Sequence, residues 1–304
     1  MINWTVDPVA FHIFSRGIRY YGLLYVVAIW GGYQLWQWQI MRSGRSYEQA
    51  ERFMGMGVAA VIVGARIGHC LFYHPSYYLA QPWRIVKVWE GGLASHGATV
   101  TLLLILAYYA KTEGMKIREV LDRFACAVAW GASIIRLGNL MNSEVVGRPW
   151  TGSFSFKFPI FDRGQLRPCD PSAGGECVPI PYLTENPRLL PGGFDLSQGG
   201  FDLSSVPARH PSQIYEFLMG MVILGVLLLV DRSYGEKRPI GLLGGLFLLL
   251  YFSARFTVEF FKDYQADGIE SGLTMGQYLS LPFMTIGLGL VLYALRRTSA
   301  AEAA

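Results

Sequence analysis

Residues 136–147 read Arg-Leu-Gly-Asn-Leu-Met-Asn-Ser-Glu-Val-Val-Gly. This run puts a guanidinium, two amides and a carboxylate at the end of an apolar stretch that starts near Phe124. At helical spacing Arg136 and Asn139 share a face, and Asn142 follows one turn later. Glu144 adds the carboxylate. Such groups suit anion chemistry, because a guanidinium forks onto a phosphate through paired N–H donors better than an ammonium does. Polar side chains at membrane depth are costly unless they face a polar interior, so they are functional candidates by default.

Other polar residues in apolar surroundings extend the set. Arg66, Arg255 and Glu259 lie within hydrophobic runs, and His96 sits among small residues in Gly91-Gly-Leu-Ala-Ser-His-Gly-Ala. The segment from Arg209 to Glu216 reads Arg-His-Pro-Ser-Gln-Ile-Tyr-Glu, with Gln213 and Glu216 on one helical face. Each has a plainer explanation. A lone histidine is usually structural, Arg255 and Glu259 four apart would neutralise each other, and Pro211 would merely open a helix. Tyr21 and Gly22 would be an ordinary interfacial pair. Counted together, Arg66, Arg136 and Arg255 face few intramembrane acids, and a net positive interior calls for an anion.

These side chains must be carried by membrane helices. Of the 304 residues 52% are hydrophobic and only 16% charged, against about 25% charged in ordinary soluble domains; mean hydropathy is +0.30. A transmembrane helix needs about 20 largely apolar residues. Roughly 20–40, 53–73, 93–110, 120–141, 212–231, 240–261 and 274–295 qualify, so the expected fold is an all-α polytopic membrane protein of about seven transmembrane helices. Hydropathy is weakest for 53–73 and 120–141, which contain Arg66 and Arg136. Alternate connections carry Arg42, Arg45 and Arg52; Lys111, Lys116 and Arg118; Arg232, Lys237 and Arg238; Arg296 and Arg297. By the positive-inside rule these loops and the C-terminus are cytoplasmic and the N-terminus lies outside. The net charge of +4 thus reports topology, and with no basic stripe no nucleic-acid partner is expected.

No cleavable signal peptide is evident in the first 19 residues. Trp4, Phe11, Ile13 and Phe14 with Arg16 and Arg19 read as a short amphipathic segment on the outer interface, or else as a disordered tail. In the long Pro- and Gly-rich segment 149–209, Phe154, Phe156 and Phe158 alternate as in a half-buried strand. Phe194-Asp-Leu-Ser recurs at Phe201-Asp-Leu-Ser around Gly199 and Gly200, which suggests a local hairpin. The expectation is one membrane-embedded catalytic domain over 1–304 with a small strand-containing external insert at 149–209. Cys169 and Cys177 lie in that insert, where either a disulfide or free thiols fit. Cys70 and Cys126 lie in spans and read as small core residues. Ala60, Gly64 and Gly68 form a helix-packing stripe. No HExxH or CxxC occurs, so no metal site is expected. The residues themselves lead to a cationic, His-containing cavity near the outer leaflet, whose natural occupant is an anionic lipid headgroup.

Nearly the whole chain resembles the prolipoprotein diacylglyceryl transferase family, least so in the external insert. The family pattern is approximately Gly-Arg-x-Gly-Asn-Phe-x-Asn-x-Glu-x-x-Gly. Arg136, Gly138, Asn139, Asn142, Glu144 and Gly147 match it, while Ile135 and Leu140 replace the Gly and Phe. Tyr21-Gly22-Leu23, Arg66-Ile-Gly, Ser95-His96-Gly97, the 209–216 run, Arg255-Phe-Thr-Val-Glu259 and Thr274-Met-Gly-Gln277 fit as well. The resemblance implies transfer of the diacylglyceryl group of phosphatidylglycerol to the lipobox cysteine of a preprolipoprotein, in the bacterial cytoplasmic (inner) membrane. It implies His96, Arg136 and Arg255 as catalytic residues. The arginines would stabilise the leaving phosphate, and His96 would act as the thiol's base or as a positioning group. Tyr21, Arg66, Asn139, Asn142, Glu144, Gly147, Arg209, Gln213, Glu216 and Glu259 would bind or orient substrate, with Glu259 fixing Arg255. No cofactor is implied, since the lipid carries its own leaving group. A transporter of anionic lipid or solute would use the same arginines, as would another phosphatidylglycerol enzyme. An intramembrane serine protease lacks a nucleophile motif.

Overall fold

A computed structural model describes residues 1–88, 91–169, 177–190, 200–263 and 272–302. These residues are mostly helical, and each expected apolar run contains one long helix: Tyr20–Arg42, Tyr47–Phe72, Ser95–Thr112, Ile117–Met141, Ser212–Tyr234, Leu242–Val258 and Met275–Glu302. Four are long and apolar enough to cross a membrane, at Tyr47–Phe72, Ile117–Met141, Ser212–Lys237 and Met275–Arg296, so the protein is a multi-pass membrane protein. The two spans of weakest hydropathy are thus among the four. Tyr47–Phe72 begins earlier than its apolar run because a capping box starts it. The Ser46 hydroxyl accepts from the Gln49 amide at 3.3 Å, and Gln49 Oε1 accepts from the Ser46 amide at 2.9 Å. Leu242–Val258 is short of the expected 240–261; at 17 residues it rises about 25 Å.

The chain divides into two compact units. The first comprises Met1–Gly32, Val128–Leu228 and Phe247–Leu288; the second comprises Tyr33–Ala127, Leu229–Leu246 and Gly289–Ala304.

In the second unit, Tyr47–Phe72 and Ser95–Thr112 cross at glycine. A Cβ on Gly64 would fall 1.9 Å from Thr101 Oγ1, and one on Gly97 would fall 2.2 Å from the Gly64 carbonyl oxygen. The small-residue stripe is therefore a contact surface, as its spacing indicates. Trp36, Phe53, Tyr109 and Phe124 interlock with ring centroids 4.5–5.9 Å apart, a tilted and edge-on arrangement favoured by aromatic quadrupoles. Polar groups in this unit are matched. Asp231, fully buried, accepts from Arg42, from Gln39 at 2.9 Å and from Arg238 at 2.5 Å. Arg123 pairs with Glu236 at 2.8 Å and Glu119 at 3.2 Å.

In the first unit, Ile2–Asn3, Phe156–Lys157 and Ala208–Arg209 form a three-stranded sheet with the 156–157 strand central. The aromatic alternation in the insert is realised in part: Phe156 and Phe158 are buried and Phe154 is exposed. Residues 9–19 are not helical and not a loose tail. Val9–Ile13 and Arg16–Arg19 pair as an antiparallel hairpin, which exposes Phe11 and Ile13 and leaves Phe14 at the tip fully exposed. Deeper in the insert, Phe201–Asp202 is the middle strand between Arg167–Pro168 and Cys177–Val178. It caps a small core of Ile160, Leu166, Ile180, Leu183, Leu203 and Val206. The Phe194 half of the suggested hairpin lies outside the described residues.

Cys169 and Cys177 form a disulfide joining the two outer strands, with Cα atoms 5.6 Å apart, while Cys70 and Cys126 are buried free thiols. Closing so short a loop is worth roughly 2–3 kcal/mol to the insert. Denatured, unreduced protein should therefore titrate two thiols and reduced protein four; four thiols before reduction would rule the cross-link out.

Candidate active site

The first unit holds an open cleft with about 320 Å³ of empty space, lined by Ala132, Ser133, Arg136, Glu216, Met219, Gly220, Ile223, Tyr251, Ala254, Arg255 and Val258. Three helices supply it: Ile117–Met141, Ser212–Tyr234 and Leu242–Val258. Gly220 allows close approach, because a Cβ there would lie 2.1 Å from Ser133 Oγ. Two arginines and one glutamate give the lining one excess positive charge. Just beyond the lining, Lys262 pairs with Glu216 at 2.7 Å and lies 3.9 Å from Glu259.

Arg136 is held and Arg255 is open. Arg136 Nε lies 3.1 Å from Glu216 Oε2, and Arg136 Nη1 donates to Asn139 Oδ1 at 3.2 Å. Glu216 also takes Lys262 Nζ at 2.7 Å on its other oxygen. Among the described residues the Arg255 side chain has no ion-pair or hydrogen-bond partner, so the expected Arg255–Glu259 pair is not formed. The Glu259 amide still donates to the Arg255 carbonyl at 3.1 Å, but its carboxylate turns elsewhere. It sits over Gly276, where a Cβ would fall 2.8 Å from it, and 3.9 Å from Lys262. Gly276 lies in the Thr274–Gln277 motif, itself a capping box: Gln277 Oε1 accepts from the Thr274 amide at 2.9 Å, and Thr274 Oγ1 from the Gln277 amide at 3.2 Å.

Asn142 caps the Ile117–Met141 helix, its amide still donating to the Gly138 carbonyl at 3.1 Å. The chain folds back, with the Glu144 amide donating to the Asn139 carbonyl at 2.9 Å. Glu144 then accepts from Asn142 at 3.3 Å and from Asn139 at 3.5 Å. Gln213 Nε2 donates to the Glu144 carbonyl at 2.7 Å. Tyr21 lies against Gly138, where a Cβ would fall 2.8 Å from its ring. Arg136, Asn139, Asn142, Glu144, Tyr21, Gln213 and Glu216 therefore form one connected group.

Two predicted substrate contacts have their bonding capacity used within the fold. Arg209 grips Asp162 with two hydrogen bonds at 2.6 and 2.9 Å, and reaches Asp263 at 2.7 Å and the Gly147 carbonyl at 3.2 Å. Gly147 is packed between chains: a Cβ would fall 2.4 Å from the His210 carbonyl oxygen and 2.7 Å from that of Phe261. Its neighbour His210 stacks on Trp150 at 4.3 Å, and burial pushes its imidazole below the ordinary histidine value.

Arg66 and His96 belong to the second unit. Arg66 is buried and donates to the carbonyls of Arg84, Ile85 (2.8 Å), Gly91 and Gly92 (3.3 Å), with Tyr78 under its guanidinium at 5.1 Å. All three of its guanidinium nitrogens donate to backbone carbonyls. His96 lies in the first turn of Ser95–Thr112, exposed, with Phe72 edge-on at 5.0 Å and Tyr73 at 5.9 Å.

Tyr251 and Lys262 escaped the sequence reading. Tyr251 stands four residues before Arg255, a same-face spacing that could have flagged it; Lys262 follows the helix end and carries no periodic signal. Among the described residues no group of three or more His, Cys, Asp or Glu side chains could hold a metal ion.

A family model described as prolipoprotein diacylglyceryl transferase matches residues 8–293. Three similar relatives all carry the name phosphatidylglycerol–prolipoprotein diacylglyceryl transferase. The protein of Chloroherpeton thalassium is 33% identical over 97% of this chain and 95% of its own. That of Tolumonas auensis is 34% identical over 96% and 97%, and that of Ralstonia pickettii 35% over 99% and 98%. With the arginine cleft, the Glu144 loop and every quoted motif inside the matched span, the chain belongs to the prolipoprotein diacylglyceryl transferase family.

Proposed function

We propose that this protein transfers the diacylglyceryl group of phosphatidylglycerol to the lipobox cysteine of preprolipoproteins. The thiolate sulfur attacks the terminal glyceryl carbon of the diacylglyceryl group, a C–S thioether bond forms, and the C–O bond to phosphate breaks. Glycerol phosphate leaves with the bonding electrons, and the thiol proton passes to a base.

The observation that carries this reading is the pairing of a held Arg136 with an open Arg255 in one apolar cleft. Displacement at carbon needs a leaving phosphate whose growing charge is stabilised, and a guanidinium held in place, as Arg136 is, does that with little reorganisation. Arg255 is the first contact for the phosphodiester, and Arg136 adds its fork as charge develops. Asn139, Asn142 and Glu144 keep Arg136 oriented and, with Tyr21 and Glu216, offer groups to the glycerol headgroup. His96 serves as the thiol's base or as a positioning group. The seven long helices cross the bacterial inner membrane with the N-terminus and the 149–209 insert outside and the C-terminus in the cytoplasm. Basic residues in alternate short connections support that orientation. The whole chain acts as one catalytic domain.

Purified protein with phosphatidylglycerol and a lipobox-cysteine peptide should yield peptide heavier by one diacylglyceryl unit and an equal amount of glycerol phosphate. Unmodified peptide and intact lipid from folded protein would refute the reading.

A further inference from the structure

The backbone is strained on both sides of Glu144. Ser143 has φ of 53° and Val145 of 57°, the left-handed region where Cβ crowds the backbone, and a β-branched valine there is an outlier. Such conformations persist only where the surroundings over-determine them. Two side chains do so here. Ser212 Oγ donates to the Val145 carbonyl at 2.6 Å, and Gln213 Nε2 to the Glu144 carbonyl at 2.7 Å. Both residues are fully buried and open the Ser212–Tyr234 helix. A serine that merely capped its helix would accept from that helix's own amides; Ser212 instead donates to a carbonyl 67 residues away in sequence.

We infer that Ser212 and Gln213 are positioning residues that clasp the strained 143–145 loop and thereby set the aim of Arg136. With the loop held, the Glu144 carboxylate is within 3.5 Å of Asn139 Nδ2, and Asn139 Oδ1 takes Arg136 Nη1 at 3.2 Å. Ser212 and Gln213 thus act on the arginine through the Glu144 loop, without touching the lipid. This inference rests on the transferase reading, in which Arg136 stabilises the leaving phosphate.

The test compares kcat and KM for phosphatidylglycerol in full-length enzyme, with melting temperatures alongside. S212A should lower kcat about tenfold, the worth of one hydrogen bond, with KM changed less than about threefold. S212T, which keeps the hydroxyl, should recover. Because Ser212 works through Glu144, S212A/E144Q should be no slower than E144Q alone. Adding V145G to S212A should restore turnover, since glycine occupies the left-handed region without strain. Wild-type kcat in S212A, a further loss in S212A/E144Q, or no recovery with V145G would overturn the clasp. Should S212A not fold, S212A/V145G carries the test: it should fold and turn over, and failure to fold counts against the clasp. An inactive wild type would sink the transferase reading alone, since the melting temperatures of S212A and S212A/V145G still test the clasp.

Discussion

Arg136→Ala is expected to lower turnover by about 10²–10³-fold, the usual cost of removing one preorganised donor from a developing anion. The fold should survive, because Glu216 keeps Lys262 at 2.7 Å when the guanidinium is gone. Loss should fall on kcat more than on the KM for phosphatidylglycerol, since Arg255 still marks the cleft. Arg136→Lys should recover only part of the activity: one ammonium cannot span both Glu216 and Asn139, now reached by Nε and Nη1 of a planar fork. Steady-state kinetics on protein with an unchanged melting temperature checks this. Wild-type kcat in the alanine variant would remove Arg136 from the reaction.

Asp231→Ala should cost stability, by about 3–5 kcal/mol, the usual price of stripping one partner from a buried ion pair. Asp231 is fully buried and shared by Arg42, Arg238 and Gln39. Without it Arg238, itself buried, keeps among the described residues only Glu236 at 3.7 Å as an ion partner. Asp231→Asn, which retains shape and one acceptor, should lose less. Thermal unfolding in detergent would decide; an alanine variant that melts with the wild type would show that the cluster contributes nothing net.

Helix positions were legible because apolar runs of membrane length have few other uses. Their ends were less so. The first turn of Tyr47–Phe72 is polar and was missed, although Ser46 and Gln49 spell a capping box. At 259 the backbone keeps its helical bond to Arg255, but the carboxylate lies against Gly276 and Lys262, so the Arg255–Glu259 pair read from periodicity is not formed. In the site, the types of Arg136, Asn139, Glu144 and Glu216 pointed to anion chemistry because such groups are rare in apolar stretches. Their partners were hidden. Arg66 donates to carbonyls 18–26 residues away, and backbone carbonyls leave no mark in a sequence. Nor did anything local signal that Arg209 would be claimed by Asp162 and Asp263. The left-handed Val145 runs against residue preference altogether, and positions of that kind are where propensity reasoning fails.

The grip of Arg66 has a dynamic consequence. The stretch before His96 contains little regular structure, which ordinarily means easy fraying and rapid amide exchange. Here the carbonyls at 84, 85, 91 and 92 converge on one buried guanidinium, so they cannot be released one at a time at small cost. Local opening would strand a charge in an apolar setting, which is worth several kcal/mol. Amides beside the carbonyls held at 84–85 and 91–92 should therefore exchange slowly, in step with the Tyr47–Phe72 helix that carries Arg66. The helix that carries His96 thus starts from backbone tied on both sides to Tyr47–Phe72, through Gly92 to Arg66 and through Ala94 to the Ala65 carbonyl.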